Sequence, residues 1–178
     1  MHRKLKNIEL NRLSVEEFKK ADKLPICVLL DNVRSMLNVG SVFRTSDAFR
    51  IEHLYLCGIT AKPPHRDITK SAIGAEQSVN WTHVKNASDV IIDLKSKGYV
   101  IISIEQTEKA VQLDDFSFEA NKQYAVVLGN EVEGVTDEAI SMSDHVIEIP
   151  QLGTKHSLNI SVCAGVVLWE AAKPHLND

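Results

Sequence analysis

Polar side chains that could bind a ligand or take part in catalysis are concentrated in three segments of the sequence. The first runs from Asn32 to Arg44 and contains Asn38 and Gly40. It directly follows an apolar run, so Gly40 would let the chain turn tightly from a strand into a helix. Arg44 would then project from the same edge of the sheet as the asparagines, where open α/β sheets bind ligands. Alternatively, the asparagines are routine turn and N-cap residues and Arg44 is a surface cation.

The second segment, Leu128–Gly134, reads Leu-Gly-Asn-Glu-Val-Glu-Gly at the end of an apolar run. Two glycines that bracket an Asn-Glu pair indicate backbone held close to a ligand, with free N–H groups facing it. The segment is not a P-loop, because no Gly-Lys-Ser/Thr follows. The dinucleotide fingerprint G-x-G-x-x-G is absent from the whole sequence. An ordinary strand-to-helix turn is the alternative interpretation.

The third segment follows a predicted strand that ends at Pro150. A loop with Gly153 comes next, and Ser157 and Asn159 open an apolar helix. Ser157 is a reasonable N-cap for that helix. The helix is apolar nearly all round as far as Trp169, so we expect it to be deeply buried.

Other common chemistries find little support in the sequence. The seven histidines include no H-E-x-x-H motif, and no serine lies in a G-x-S-x-G motif. Cys27, Cys57 and Cys163 are widely spaced, which fits free thiols in a reducing cytosol better than a disulfide or zinc framework. No apolar run approaches the ~18 residues of a membrane span. We therefore expect a cytoplasmic protein with no metal and no membrane partner, and neither a hydrolase nor a metalloenzyme.

Short β-branched runs alternate with helical patterns along the chain, which predicts an α/β fold with a mostly parallel sheet and helices on both faces. Ser14 and Glu17 form a capping box for the first helix. No repeat or linker divides the chain. The predicted strands are Ile26–Asp31, His53–Cys57, Asn80–Val84, Tyr99–Ile104, Tyr124–Leu128 and His145–Ile149. The predicted helices are Val15–Lys20, Val39–Phe49, Ala87–Lys97, Asp137–Ser141 and Leu158–Ala172, and Gly58–Arg66 and Thr107–Lys122 are predicted loops.

The formal net charge of −4 means that a nucleic-acid partner would have to be held by a local basic patch. One candidate patch is at the N-terminus, where an RNA-contacting arm and a solvated basic tail remain equally open interpretations. The basic residues of that stretch are His2, Arg3, Lys4, Lys6 and Arg12.

Taken together and in this order, the three segments resemble motifs of the SpoU/TrmH family of RNA 2′-O-ribose methyltransferases, within the SPOUT superfamily. The first is similar to Asn-x₅-Asn-x-Gly-x₃-Arg, the second to Leu-Gly-Asn-Glu-x-x-Gly, and the third to Ile-Pro-x-x-Gly-x₃-Ser-Leu-Asn-x-Ser. The resemblance covers Pro25 to Trp169. It implies a C-terminal trefoil knot and a homodimer. We expect a basic N-terminal arm and short helix over residues 1–24, followed by one methyltransferase domain over residues 25–178.

The resemblance also implies S-adenosylmethionine as the cofactor and transfer RNA or ribosomal RNA as the partner. The residues it places around the cofactor are Glu105, Gln106, Thr107, Leu128, Gly129, Asn130, Glu131, Gly134, Ile149, Pro150, Gly153, Ser157 and Leu158. The residues it implies for catalysis are Asn38, Arg44, Glu131, Ser157 and Asn159. For RNA contacts, the candidates are Arg3, Lys4, Lys6, Arg12, Arg34 and Arg44.

The implied chemistry is an in-line attack of the ribose O2′ on the sulfonium methyl, so the enzyme must align the reactants and make the hydroxyl a better nucleophile. A guanidinium stays protonated at ordinary pH, which makes Arg44 a poor general base. We therefore expect Arg44 to clamp an RNA phosphate and stabilise developing alkoxide charge.

Two alternatives remain open. One is a non-catalytic RNA-binding or assembly protein that keeps the knotted fold, and the intact set of polar residues counts against it. The other is a Rossmann-type enzyme with another nucleotide, which the missing glycine fingerprint disfavours.

Overall fold

Seven strands form one sheet in the computed structural model, which describes residues 2–176. The strands are β1 (Leu24–Asp31), β2 (Ile51–Cys57), β3 (Trp81–Val84), β4 (Val100–Ile104), β5 (Val111–Gln112), β6 (Tyr124–Leu128) and β7 (His145–Glu148). Their order across the sheet is β3-β2-β1-β6-β4-β7-β5, and each neighbouring pair is parallel. The predicted parallel α/β sheet is confirmed.

Helices cover both faces of the sheet. They are α1 (Val15–Lys20), α2 (Met36–Ala48), α3 (Arg66–Ala72), α4 (Ala75–Ser78), α5 (Ala87–Ser96), α6 (Asp137–Met142) and α7 (Ile160–Ala172), with 3₁₀ turns at Asn7–Leu10, Leu113–Asp115 and Lys173–His175. The Ser14–Glu17 capping box is confirmed. Within residues 2–176, no helix combines the length and the apolar character needed to cross a membrane.

Successive side chains of each strand point to opposite faces of the sheet, so two hydrophobic cores form, one on each face. In β1, Val28 and Leu30 belong to the core beneath α2 and α7, whereas Cys27 and Leu29 belong to the core beneath α5 and α6. Strand β1 is therefore a continuous apolar run because both its faces are covered. Burial on both faces holds β1 in place, and the first polar segment, Asn32–Arg44, begins where this strand ends.

The six predicted strands each agree with an observed strand to within two residues at either end. The short helices α3 and α4, the three 3₁₀ turns, and the two-residue strand β5 inside the segment expected to be a loop were not predicted. In β5 only Val111 and Gln112 pair with β7, so the sequence holds no run long enough to show an alternation.

Two expectations about local structure, for Gly40 and for Ser157, are wrong. Gly40 does not form a turn: it lies inside α2, where an added Cβ would meet Ser71 Oγ and Ile68 O of α3. It therefore lets two helices pack closely. The N-cap of α7 is Asn159, whose side chain accepts from Ser161 N, and Ser157 lies before the cap.

Helix α7 is not buried all round, contrary to the expectation from its composition. Ala164, Val167 and Leu168 face the core, whereas Val162 and Trp169 are 52% and 49% exposed. A uniformly apolar helix thus leaves one apolar face uncovered in the single chain.

Candidate cofactor cleft and catalytic residues

A cleft of about 510 Å³ opens at the carboxyl ends of β4, β6 and β7. Ile104 and Leu128, the last residues of β4 and β6, lie at its base. The opposite wall comes from the segment that leads into α7, including Leu158. The volume of the cleft lies within the range typical of small-molecule sites. The cleft also lies at the edge of the sheet where open parallel sheets bind ligands.

The loop after β6, residues 129–135, forms one wall of the cleft and is called here the glycine loop. Asn130 and Gly134 exchange backbone hydrogen bonds of 2.9 and 3.0 Å. Asn130 Oδ1 also accepts from the N–H groups of Val132 and Glu133, at 2.8 and 3.1 Å. A Cβ on Gly129 would meet the backbone of Gly134, so the two glycines permit this tight fold of the chain.

Two carboxylates anchor the far end of the glycine loop to the sheet. Glu105, the residue after β4, accepts from Val135 N through Oε2 at 2.9 Å. Asp31, the last residue of β1, is buried, and its Oδ2 accepts from Thr136 N at 3.0 Å and Thr136 Oγ1 at 2.8 Å. Hydrogen bonds to charged acceptors are stronger than neutral ones, so this wall is held firmly in position.

Glu131, at the tip of the glycine loop, connects it to the start of α2. Its Oε2 accepts from Arg34 N at 2.9 Å, and its Oε1 accepts from Ser35 N at 3.0 Å and from Asn38 Nδ2 at 2.9 Å. Asn159 Nδ2 in turn donates to Asn38 Oδ1 at 3.2 Å. Three of the predicted catalytic residues thus form one hydrogen-bonded chain, Asn159–Asn38–Glu131.

The protonation state of Glu131 follows from these contacts. Partial burial raises its pKa, but hydrogen bonds from Arg34 N, the Asn38 side chain and Ser35 N outweigh that effect, so its pKa lies below the ordinary value. Glu131 is a carboxylate at neutral pH, and both of its oxygens already accept hydrogen bonds. It is therefore suited to holding the loop and α2 together rather than to taking a proton.

The cleft is acidic and partly apolar. Glu105, Glu131, Glu133 and Glu148 line it, and none of the described residues that line it is Lys or Arg. Burial, with a smaller contribution from Glu105, raises the pKa of Cys163 to about 11, so this lining thiol stays protonated. In the described part of the chain, no group of three or more His, Cys, Asp or Glu residues could hold a metal ion. A small organic cation with an apolar portion matches this lining.

Comparison with known proteins assigns the chain to a family. The sequence model of the SpoU rRNA Methylase family matches residues 25–169. The chain belongs to this family. The match covers β1 through most of α7, and so includes the cleft, the glycine loop and the Asn159–Asn38–Glu131 chain. The recognition of a SpoU/TrmH methyltransferase from the three sequence segments is confirmed.

Known RNA-modifying enzymes resemble the chain over most of its length. A tRNA (guanosine(18)-2′-O)-methyltransferase of Thermus thermophilus is 30% identical over 171 residues, which is 94% of this chain and 84% of that protein. The crystal structure of the Aquifex aeolicus TrmH/SpoU tRNA modifying enzyme matches with a TM-score of 0.80 and 28% identity, over 92% of this chain and 81% of that chain. An AdoMet-bound rRNA methyltransferase from Sinorhizobium meliloti matches with a TM-score of 0.79 and 25% identity, over 89% of this chain and 60% of that chain.

Most residues that the family resemblance places around the cofactor line the cleft. They are Glu105, Gln106, Leu128, Gly129, Asn130, Glu131, Gly134, Ile149, Ser157 and Leu158. Thr107, Pro150 and Gly153 are not among the lining residues. Pro150 lies between Ile149 and Gln151, which both line the cleft.

Several lining residues were not predicted from the sequence. His156 uses its backbone carbonyl, which accepts from Gln106 Nε2 at 3.1 Å and links two walls of the cleft. A backbone contact leaves no signal in the residue type. Cys163 was detectable, because it follows Asn159 by four residues and therefore shares its helix face.

Arg44 does not line the cleft, and neither do Asn32 and Asn38, so the expectation that all three project from one edge of the sheet stays a prediction. Six residues of helix separate Arg44 from Asn38, which amounts to about 9 Å along the axis and a rotation of about 240°. It lines a second groove, of about 810 Å³, that shares no described residue with the cleft. Asn32 has a φ of +57°, and its carbonyl accepts from Asn130 Nδ2 at 2.7 Å, so it supports the glycine loop.

The predicted RNA-binding residues fall into different settings. Arg12 and Arg44 line the second groove. Arg3 is paired with Glu9 through two contacts of 2.8 and 3.0 Å. Arg34 is exposed, as are Lys4 and Lys6. Of the six predicted RNA-binding residues, only Arg12 and Arg44 thus line the same groove.

Proposed function

We propose that this chain transfers a methyl group from S-adenosylmethionine to a ribose 2′-hydroxyl of transfer RNA or ribosomal RNA. The observation that carries the proposal is the Asn159–Asn38–Glu131 chain at the rim of an acidic cleft, in a member of the SpoU family. The relative from Thermus thermophilus is named a tRNA (guanosine(18)-2′-O)-methyltransferase. S-adenosylmethionine, when bound, supplies a methyl group on a positively charged sulfur.

The residues of the cleft suit that cofactor. A sulfonium and an ammonium group are both cations, and four glutamates with no lysine or arginine favour them over a nucleotide phosphate. The glycine loop and the segment from Ile149 to Leu158 would hold the cofactor between them. Ile104 and Leu128 offer an apolar surface for its adenine ring.

The proposed role of Asn38, Asn159 and Ser157 is to orient the target nucleotide at the rim of the cleft. Asn38 and Asn159 are held by hydrogen bonds, so they are preorganised. Arg44 would bind a phosphate of the RNA and stabilise the charge that develops on O2′ as the hydroxyl proton passes to solvent water, because a planar guanidinium binds phosphate in a bidentate manner and stays protonated. A non-catalytic RNA-binding protein is the competing proposal.

We also propose a homodimer formed through the uncovered apolar face of α2 and α7. This face consists of Leu37, Val162, Val166 and Trp169, which are 37–52% exposed. Contiguous apolar surface of this kind marks an interaction site. Arg44 follows Leu37 by seven residues on α2 and so lies on the same stripe of the helix, beside this face.

The placement of Arg44 supports a shared active site, in which Arg44 of one copy serves the cleft of the other. Mixed dimers test this arrangement. Arg44→Ala and the cleft-blocking variant Leu158→Trp, each inactive alone, would regain activity on mixing if the site is shared. Mixtures that stay inactive after confirmed subunit exchange would assign Arg44 to the cleft of its own chain.

Three further proposals concern the C-terminal segment, the division of the chain and its location in the cell. A trefoil knot formed by the C-terminal segment is supported by the match to the Aquifex aeolicus structure. A domain over residues 25–178 after a basic arm over residues 1–24 is supported by the match over 25–169. A cytoplasmic location is supported by three free cysteines, which suit a reducing compartment.

The test of the function is methyl transfer to defined RNA. The protein is incubated with methyl-labelled S-adenosylmethionine and size-fractionated RNA from cells that lack its gene, with Arg44→Ala in parallel. If one RNA fraction becomes labelled with the wild type and not with Arg44→Ala, the activity is established. The labelled fraction then shows whether the substrate is transfer RNA or ribosomal RNA. Absence of label in every fraction, with cofactor binding intact, would favour the non-catalytic alternative.

A further inference from the structure

The second groove combines three arginines on one surface. It lies between residues 11–18, the end of α2 and residues 72–78, and is called here the arginine groove. Arg12 and Arg44 were candidates for RNA contact from the sequence, but Arg50, at the turn between α2 and β2, was not. All three side chains are exposed, and all three line the groove.

The positive charge of the arginine groove is not neutralised within the described chain. None of the ion pairs among residues 2–176 involves Arg12, Arg44 or Arg50. The lining includes a single carboxylate, Asp47, which accepts a hydrogen bond from Ser78 Oγ. The groove therefore attracts anions, although the protein as a whole is acidic.

Exposed apolar side chains accompany the guanidinium groups. Leu13, Val15 and Ile73 line the same groove and are 50%, 40% and 68% exposed. Sites for single-stranded nucleic acid combine cationic groups for phosphates with flat surfaces for the bases, which are usually aromatic rings or guanidinium planes. Here the arginine planes and the aliphatic side chains together offer such a surface. A site for a free anion would not need the apolar part.

We propose that the arginine groove binds an unpaired stretch of the substrate RNA, with Arg12 and Arg50 on phosphates next to the one held by Arg44. Leu13, Val15 and Ile73 contact the faces of the intervening nucleotides. The inference rests on the proposed function and adds Arg50 and the apolar rim to the residues that recognise RNA. It also explains how an acidic protein binds a polyanion, through a local surface rather than through net charge.

The experiment measures RNA affinity and its salt dependence apart from catalysis. Arg12→Gln and Arg50→Gln are compared with Lys97→Gln, a charge-matched control at the C-cap of α5, which covers the other face of the sheet. Each groove variant is expected to weaken binding of transfer or ribosomal RNA several-fold and to lower the slope of log K against log salt by about 0.7 per lost phosphate contact. Ile73→Ser is expected to weaken binding without changing that slope.

Steady-state kinetics and cofactor titration complete the test. With Arg50→Gln we expect KM for RNA to rise several-fold, while kcat at saturating RNA and the affinity for S-adenosylmethionine stay within twofold of wild type. Unchanged RNA affinity and salt slope in both arginine variants would overturn the groove proposal. If the wild type binds RNA through the groove but methylates none, the proposed function fails and the groove proposal stands.

Discussion

Asn38 and Glu131 are 93 residues apart in the sequence, yet Asn38 Nδ2 donates to Glu131 Oε1 at 2.9 Å. This contact joins the first turn of α2 to the tip of the glycine loop. Arg34 N and Ser35 N donate to the same carboxylate, so three hydrogen bonds link the loop to the start of the helix. A wall of the cofactor cleft is thereby coupled to the helix that carries Arg44.

Replacement of Glu131 by glutamine should destabilise the protein in a pH-dependent way. The amide has one acceptor oxygen for three donors, so we expect a loss of about 1 kcal/mol, discounted because the side chain is exposed, or roughly 2–4 °C in Tm. The folded-state pKa of Glu131 lies below its ordinary value of 4.5, so its contribution is present above pH 4.5 and is lost as pH falls through the folded-state pKa.

Thermal unfolding across pH 3–7 checks this expectation. The Tm difference between wild type and Glu131→Gln should be constant near neutral pH and shrink below pH 4.5. Glu133→Gln is the control, because the neighbouring Glu133 side chain makes no hydrogen bond among the described residues. A Tm difference that does not change with pH would contradict the assignment of an ionised, hydrogen-bonded Glu131.

Gly134→Ala should lower the affinity for S-adenosylmethionine, and Gly98→Ala should not. Both glycines have positive φ, +72° and +89°, so each substitution carries a strain of about 1 kcal/mol. Only at Gly134 would the new Cβ also meet Glu105, which anchors the loop. Calorimetric titration should show at least a tenfold loss for Gly134→Ala; equal affinities in the two variants would mean that the glycine loop does not shape the cofactor site.

Arg44→Lys conserves charge but should lose most methyl transfer, because an ammonium group cannot form the bidentate contact to phosphate. Since Arg44 lies outside the cleft, the affinity for S-adenosylmethionine should stay close to that of wild type. Single-turnover transfer and cofactor titration measure the two quantities separately. Near-normal turnover in Arg44→Lys would rule out the phosphate clamp.

Val162→Asp should convert the proposed dimer into a monomer. Val162 is 52% exposed on the apolar face of α7, and a charge there would be desolvated only in a dimer. Sedimentation at micromolar concentration should show monomers for this variant and dimers for Ile92→Asp, the control at a 60% exposed apolar residue of α5. A wild type that is already monomeric and fully active would refute the shared site.

Buried elements were predictable from the sequence because burial on two faces leaves a local signature. The predicted bounds of the strand Tyr124–Leu128 are correct, since all five residues are buried and strands pair with both of its edges. Helix α3 was missed because only Ile68 and Ala72 of its seven residues are buried, so no periodicity marks it. The N-cap of α7 is Asn159 and not the predicted Ser157. Asparagine and serine cap helices about equally well, so the sequence alone does not distinguish the two positions.

The sequence predicted which residues belong to the candidate site, but not which of them lie together in the folded protein. The family motifs named Asn38, Glu131 and Asn159, and the fold brings their side chains into one chain of hydrogen bonds. Arg44 belongs to the same motif as Asn38, but motif spacing does not reveal which face of α2 a residue occupies relative to the cleft. Arg50 was not predicted because an isolated arginine after a helix has no distinguishing pattern.

The place of β6 in the sheet bears on how the chain folds during synthesis. β6 lies between β1 and β4, although both of those strands precede it in the chain. A nascent chain therefore presents the apolar inner edge of β1 without its partner until residue 128 has left the ribosome. Such an unpaired edge is prone to aggregation, so we expect the emerging polypeptide to depend on chaperones until the last third of the chain closes the sheet.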